Sequence, residues 1–251
     1  MNTLLVSMLL LADPPAAKDV LKQYDAVMAP PVFKAVATMT AHRDDGSTRA
    51  YKMTILKGAD DKSRIWFQEP AAVRGQEMLR NGENFWVYMP NLKRSLRLAS
   101  RDNFQGGDFN NADVLRANYA ADYDGTVKED AARPDTWLLE LKSKSADTAY
   151  DSIKLWVLKA QPGVPVRGEY YTSSGKMLRS ADFSDVKDFG NGLKRPAKIT
   201  MRNEIATQRY SELIQGEQAT SGELIEALRR LAERQERVFR VTRDLERGQN
   251  E

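Results

Sequence analysis

The chain of 251 residues has no cysteine and one histidine, His42. Without cysteine there are no disulfides, no thiolate nucleophile and no Cys-based zinc site. A lone histidine, read as an exposed strand-end residue, leaves the commonest general base and metal ligand almost unused. The Gly106-Gly107 pair lacks both GxGxxG spacing and a following GK[ST], so no phosphate loop is present. No basic excess marks a nucleic-acid binder: the net charge is +3 and the cations are dispersed. Beyond the N-terminus no apolar run approaches the roughly 18 residues that span a bilayer.

What is present is a chain long enough for one large β domain or two small ones, with 41% hydrophobic residues for a core and 29% charged residues for an ordinary soluble surface. Leu4–Ala12 (LLVSMLLLA) has signal-peptide length, with small Ala16 and Ala17 near a cleavage point, although Met1-Asn2-Thr3 brings no cation. Residues 1–17 are read as a signal peptide and 18–251 as one domain. The alternative for the apolar run is a buried first strand or helix.

Val20, Leu21, Tyr24, Val27 and Met28 make one helical stripe, stopped by Pro30-Pro31. From Phe33 the period drops to two, with Phe33, Ala35, Ala37, Met39 and Ala41 on one face. Strands are predicted over 33–41, 49–57, 63–68, 76–80, 84–89 and 95–98. A second series follows over 137–143, 152–159, 166–172, 177–185, 197–203 and 208–215. Turn signals separate them, among them Asp44-Asp45-Gly46-Ser47, Gly58-Ala59-Asp60-Asp61, Asn81-Gly82, Gln161-Pro162-Gly163 and Gly190-Asn191-Gly192. A short helix is expected over 110–119 and a polar loop over 129–135. Thr220-Ser221-Gly222-Glu223 has capping-box spacing before a stripe of Leu224, Ile225, Leu228, Leu231 and Ala232, which predicts a helix over Ser221–Glu236. Strands at this density mean a large antiparallel sheet, sandwich or barrel, in an α+β domain.

Candidate chemistry is sparse. Asp108, Asp113, Asp122 and Asp124 cluster in sequence, but their spacing fits no EF-hand, and turn or cap roles suit them. Gly106-Gly107 before Asp108-Phe109 permits a sharp reversal with positive φ, and Asp108 is placed to cap the helix that follows. Lys93, Arg94, Arg97 and Arg101 form a basic run. It is either a solvated strand face or a rim beside an apolar cavity, suited to an anionic head group. The tryptophans Trp66, Trp86, Trp137 and Trp156 all fall in predicted strands, as do Met39, Met53, Met78, Met89, Met177 and Met201. Flexible methionine and aromatic rings suit an adaptable acyl-chain pocket as well as an ordinary core.

The order of segments carries a resemblance. Gly75-x-x-Met78-Leu79, Asn84-x-Trp86-x-Tyr88-x-Pro90, the basic strand, then Gly107-Asp108-Phe109 with Asp113 resemble the LolA-like outer-membrane lipoprotein-sorting family. Further matches are Tyr150-x-x-Ile153-x-x-Trp156-Val157, Glu169-Tyr170-Tyr171 with Gly175-Lys176, Arg195-Pro196 with Ile199 and Met201, and Val238-Phe239 with Leu245-Glu246-Arg247-Gly248. Two features depart from the family: Gly106-Gly107-Asp108-Phe109 where Gly-Ser-Asp-Phe is common, and a long charged stretch at 221–236.

The resemblance implies a single antiparallel sheet curved into an incomplete half-barrel, with N-terminal and C-terminal helices over its concave face. It implies a periplasmic, non-enzymatic carrier, without cofactor or metal, that holds acyl chains of a lipoprotein or membrane lipid. Transient membrane contact, a monomeric state and an inner-membrane RND/MMPL-type exporter as partner go with it. The expected cavity lining is Phe33, Met39, Met53, Trp66, Met78, Phe85, Trp86 and Met89; the expected rim is Lys93, Arg94 and Arg97; Gly106, Gly107, Asp108 and Phe109 form the motif turn. Two other readings stay open: an exporter accessory module whose cavity is filled by its own side chains, and a hydrolase built on Asp108 and its neighbours.

Overall fold

The computed structural model describes residues 14–58, 62–115, 118–190 and 192–218. The first thirteen residues, the tip of the turn expected at 58–61, the helix expected over 221–236 and the matches at 238–248 lie outside the described residues.

Helix α1 (Ala17–Met28) opens the chain and buries Val20, Leu21 and Tyr24. Burying each such side chain is worth roughly 1.5–3 kcal/mol, which is what holds so short a helix in place. Six strands follow: β1 (Phe33–His42), β2 (Thr48–Lys57), β3 (Lys62–Glu69), β4 (Glu77–Asn81), β5 (Asn84–Met89) and β6 (Arg94–Leu98). Short helices α2 (Asn111–Leu115) and α3 (Tyr119–Asp122) lie on the passage to β7 (Tyr123–Glu129). The second series is β8 (Thr136–Ser143), β9 (Ser152–Leu158), β10 (Pro165–Tyr171), β11 (Met177–Asp188), β12 (Lys194–Asn203) and β13 (Tyr210–Gln218).

All thirteen strands form one antiparallel sheet in the order β6-β5-β4-β3-β2-β1-β13-β12-β11-β10-β9-β8-β7. The two edges, β6 and β7, do not pair with each other, so the curved sheet stays open. From β1 in mid-sheet the chain meanders out to β6, crosses the inner face through residues 99–115 and 118–122 to the far edge, and meanders back until β13 pairs with β1. Strand β1, with neighbours on both sides, is therefore the seam of the fold.

Alternation fixes the inner face. Ala35, Ala37, Met39 and Ala41 of β1 are buried while Val36 is exposed. Register carries that face outward: Ala37 sits opposite Met53, Met53 opposite Phe67, and Ile65 opposite Met78. Helix α1 and the crossing segment cover it.

Two elements differ from the expectation. The helix expected over 110–119 is split into α2 and α3. Asn110 and Asp113 start α2 by a reciprocal cap, with backbone N–H groups donating to Asp113 Oδ2 and Asn110 Oδ1 at 2.8 Å each. The N–H groups of Tyr119 and Ala120 donate instead to Asp25 of α1, at 2.8 and 2.9 Å. A cap supplied from another element starts a separate helix. Strand β7 had no sequence signal: its outward residues are polar, it contains Gly125, and only Tyr123 is fully buried. It is an edge strand held by pairing with β8.

Candidate functional site on the covered inner face

Between α1, the crossing segment and the middle of the sheet lies a cavity of about 70 Å³. Its walls are mostly apolar: Met28, Phe33, Ile55, Phe109, Leu115, Phe183, Ile199, Met201 and Leu213, with Tyr24, Tyr119 and Tyr170 bringing hydroxyls. Tyr24 and Tyr119 stack at 4.9 Å, and Tyr119 lies 5.2 Å from Tyr123. Burial pushes the phenols of Tyr24, Tyr119 and Tyr170 well above the ordinary range, so they stay neutral donors. A larger depression of about 590 Å³ over β7–β10 is open to solvent and mixes Leu141, Ile153 and Tyr171 with charged Asp124, Glu140, Lys142 and Lys154.

Of the expected lining, Phe33 reaches this cavity. Met39, Met53, Met78 and Phe85 are buried on the same inner face, in the core beside Phe67 and Phe104. Met89 is half-buried at the far end of β5. Trp66 and Trp86 are on the opposite face. Ile65 and Phe67 point into the core, so Trp66 between them points out, where the Arg64 guanidinium lies 4.6 Å over its ring and pairs with Glu77 at 2.9 Å. Trp86 sits opposite Leu79 and Arg97. In β5 every position from Phe85 to Met89 is bulky and apolar, so alternation alone did not say which set turns inward.

The basic residues do not ring the cavity. By register, cavity-lining Ser63 aligns with Arg80, Phe85 and Leu98, at the opposite end of β6 from Lys93 and Arg94. Arg97 faces outward and donates to Asn84 Oδ1 at 2.6 Å. His42, expected to be exposed, is partly covered: it stacks on Tyr210 at 4.0 Å beside Glu212.

The motif turn is a fastening. Gly106 has φ +71°, the left-handed region that favours glycine. Gly107 makes a close approach: a Cβ there would stand 3.1 Å from Ser211 Oγ and 3.3 Å from the Met39 methyl, so these neighbours would have to give by a few tenths of an ångström. Asp108 does not cap α2. Its carboxylate accepts from Ser211 Oγ at 2.8 Å and Asn203 Nδ2 at 3.3 Å, and its N–H donates to Ser211 Oγ at 3.0 Å. Phe109 turns into the cavity. Beyond it, Asp113 accepts from the Tyr150 hydroxyl at 2.9 Å, and that oxygen accepts from Arg179 at 3.0 Å. Burial raises the Asp113 carboxyl, and the Arg179 charge opposes that rise. A third tie is the Asp25 cap on α3. The cavity tyrosines and these ties were not foreseen; the helical spacing of Tyr24 was the one local signal available.

A family model described as that of an uncharacterized protein matches residues 59–226. In structure, a LolA superfamily protein from Nitrosomonas europaea superimposes with a TM-score of 0.73 at 24% identity, over 82% of this chain and 93% of that one. An outer membrane lipoprotein-sorting protein domain from Vibrio parahaemolyticus gives 0.69 at 20%, over 84% and 97%. A DUF1329 family protein from Desulfovibrio piger gives 0.70 at 20%, over 81% and 91%. No curated protein matches in sequence. The chain belongs to the matched family, and its fold is that of the LolA superfamily.

Asp108 and Asp113, the best placed acids, are held by side-chain donors and fasten the crossing segment. Among the described residues no group of three or more His, Asp or Glu side chains could hold a metal ion. No described helix is long and apolar enough to cross a membrane.

Proposed function

We propose that the protein is a periplasmic carrier that takes the acyl chains of a lipoprotein or lipid between its inner sheet face and the cover formed by α1 and residues 99–115 and 118–122. The observation that carries this reading is the construction of that cover. It lies on an apolar face rich in Ala and Met, and it is fastened at discrete polar points: Asp108–Ser211, Asp113–Tyr150 and Asp25 with the α3 amides. A cover fastened at points can lift without breaking the sheet ladder.

Ligand sites commonly enclose roughly 300–1,000 Å³, so a cavity of about 70 Å³ is a closed state. Loading replaces contacts of the cover by contacts of the guest. Each buried CH₂ of an acyl chain returns about 0.8 kcal/mol. That gain offsets the lifting cost, while the cost keeps the cargo releasable.

The small cavity also favours one competing reading, an accessory module of an envelope exporter whose interior is filled by its own side chains. Detergent-free purification from the native envelope separates the two, with native mass spectrometry beside lipid analysis of an organic extract. A stoichiometric lipid or acylated-polypeptide adduct supports the carrier. A clean apo mass, unchanged after incubation with envelope lipids, sinks it in favour of the module.

A further inference from the structure

The basic residues that do not ring the cavity stand at the β5–β6 hairpin instead, and there they accompany exposed apolar groups. Leu92 is 60% exposed at the tip and Leu96 41% exposed on the edge strand. Single exposed aliphatic residues are ordinary; what marks these two is that they share one hairpin with cations left unpaired among the described residues. Lys93 and Arg94 follow Leu92 directly and are exposed, and among the described residues neither has a carboxylate partner. The Pro90 ring lies against Gly75, which brings the 70–75 turn and exposed Arg74 to the same end. The tip is stiff: Pro90–Leu92 form a 3-10 turn closed by Lys93 at φ +49°, with the Lys93 N–H donating to the Pro90 carbonyl at 3.2 Å.

We propose that this hairpin tip is a membrane-docking finger, Leu92 entering the interface of an anionic bilayer and Lys93, Arg94 and Arg74 resting among its head groups. Interfacial binding scales with the apolar area inserted and with attraction of cations to anionic lipid. A rigid tip joins the two at little ordering cost. The charges carry the choice of occupant: cations around one protruding leucine complement a negative lipid surface. Docking by this finger would set the sheet edge against the bilayer with the cavity at the other end of β6. The proposal is independent of the cargo reading, because the finger shares no residue with the cavity.

The test is flotation of the full chain with vesicles of equimolar phosphatidylglycerol and phosphatidylcholine, against vesicles of phosphatidylcholine alone. The wild-type protein is expected to float with the anionic vesicles and to be released by salt. Lys93→Gln with Arg94→Gln is expected to weaken partitioning about 30-fold, at about fivefold per cation. Leu92→Asp is expected to abolish it without changing the thermal midpoint, since the side chain supports no core contact. Lys176→Gln, at an exposed turn elsewhere, is expected to bind as wild type. Equal binding to neutral and anionic vesicles, wild-type binding by the finger variants, or equal weakening by Lys176→Gln each overturns the proposal. Vesicle binding without captured lipid keeps the finger and removes the carrier; captured lipid without vesicle binding does the reverse.

Discussion

Ser211 of β13 and Asp108 of the crossing segment hold each other by two hydrogen bonds: the hydroxyl donates to the carboxylate at 2.8 Å and accepts from the Asp108 N–H at 3.0 Å. Both residues are essentially inaccessible to solvent. Ser211→Ala removes both partners at once and leaves a buried carboxylate and a buried amide short of hydrogen bonds. The expected loss is about 2–3 kcal/mol, the range for a bond to a charged group with its orphaned partner. Urea unfolding of the variant beside wild type measures it; a loss below about 0.5 kcal/mol would show that the crossing segment is held elsewhere.

A second fastening titrates. The Asp25 carboxylate accepts from the Tyr119 and Ala120 amides, yet burial pushes its pKa from 3.8 up to about 6 against the pull of those amides and of Lys57. Between these values the folded protein holds a proton that the unfolded chain has released. Stability therefore falls as pH rises through this window and levels off above it. In Asp25→Asn this component disappears. The variant's thermal midpoint should gain on wild type between about pH 4 and pH 6, and an unchanged difference across that window refutes the assignment.

The two faces of β2–β3 should part company under truncation. Met53 is fully buried on the inner face, and Met53→Ala is expected to cost about 2–5 kcal/mol, as large-to-small core changes do. Trp66 lies outside under Arg64. Trp66→Ala takes the ring from beneath that guanidinium, and such cation–π pairing is worth roughly 0.5–1 kcal/mol. Only the Met53 change should alter lipid capture. Lipid capture reduced by Trp66→Ala at unchanged stability would return the outer face to consideration.

The strands of this fold were legible because alternation and turn chemistry repeat along the chain. Ala35, Ala37 and Met39 declared their face, and Asn81-Gly82 its hairpin. Trp66 was misplaced because Ile65, Trp66 and Phe67 are all apolar, so the period of two is silent there. Strand β7 had no periodic apolar set to read. The cavity was the least legible feature, since its walls depend on where residues 99–115 and 118–122 dock. That is set by pairs such as Asp108 with Ser211, 103 residues apart, and by Asp25 capping a helix 94 residues away. Local patterns report faces and turns; they do not report which distant hydroxyl completes a carboxylate's shell.

The cover's manner of opening gives the last prediction. Helix α1 is tied at its end by Lys57 Nζ to the Ala29 carbonyl at 2.8 Å and by Asp25 to α3. The sheet beneath is a continuous ladder from β6 to β7. A guest that enlarges the cavity must therefore displace α1 and α3 while the ladder persists, because lifting the cover breaks a few point contacts and opening the sheet breaks whole rows of hydrogen bonds. Hydrogen exchange with palmitate as probe should show faster amide exchange in Ala17–Met28 and Tyr119–Asp122, with β9–β12 unchanged. Slower exchange in α1 on loading, or faster exchange spread over β9–β12, would mean that acyl chains enter by another route.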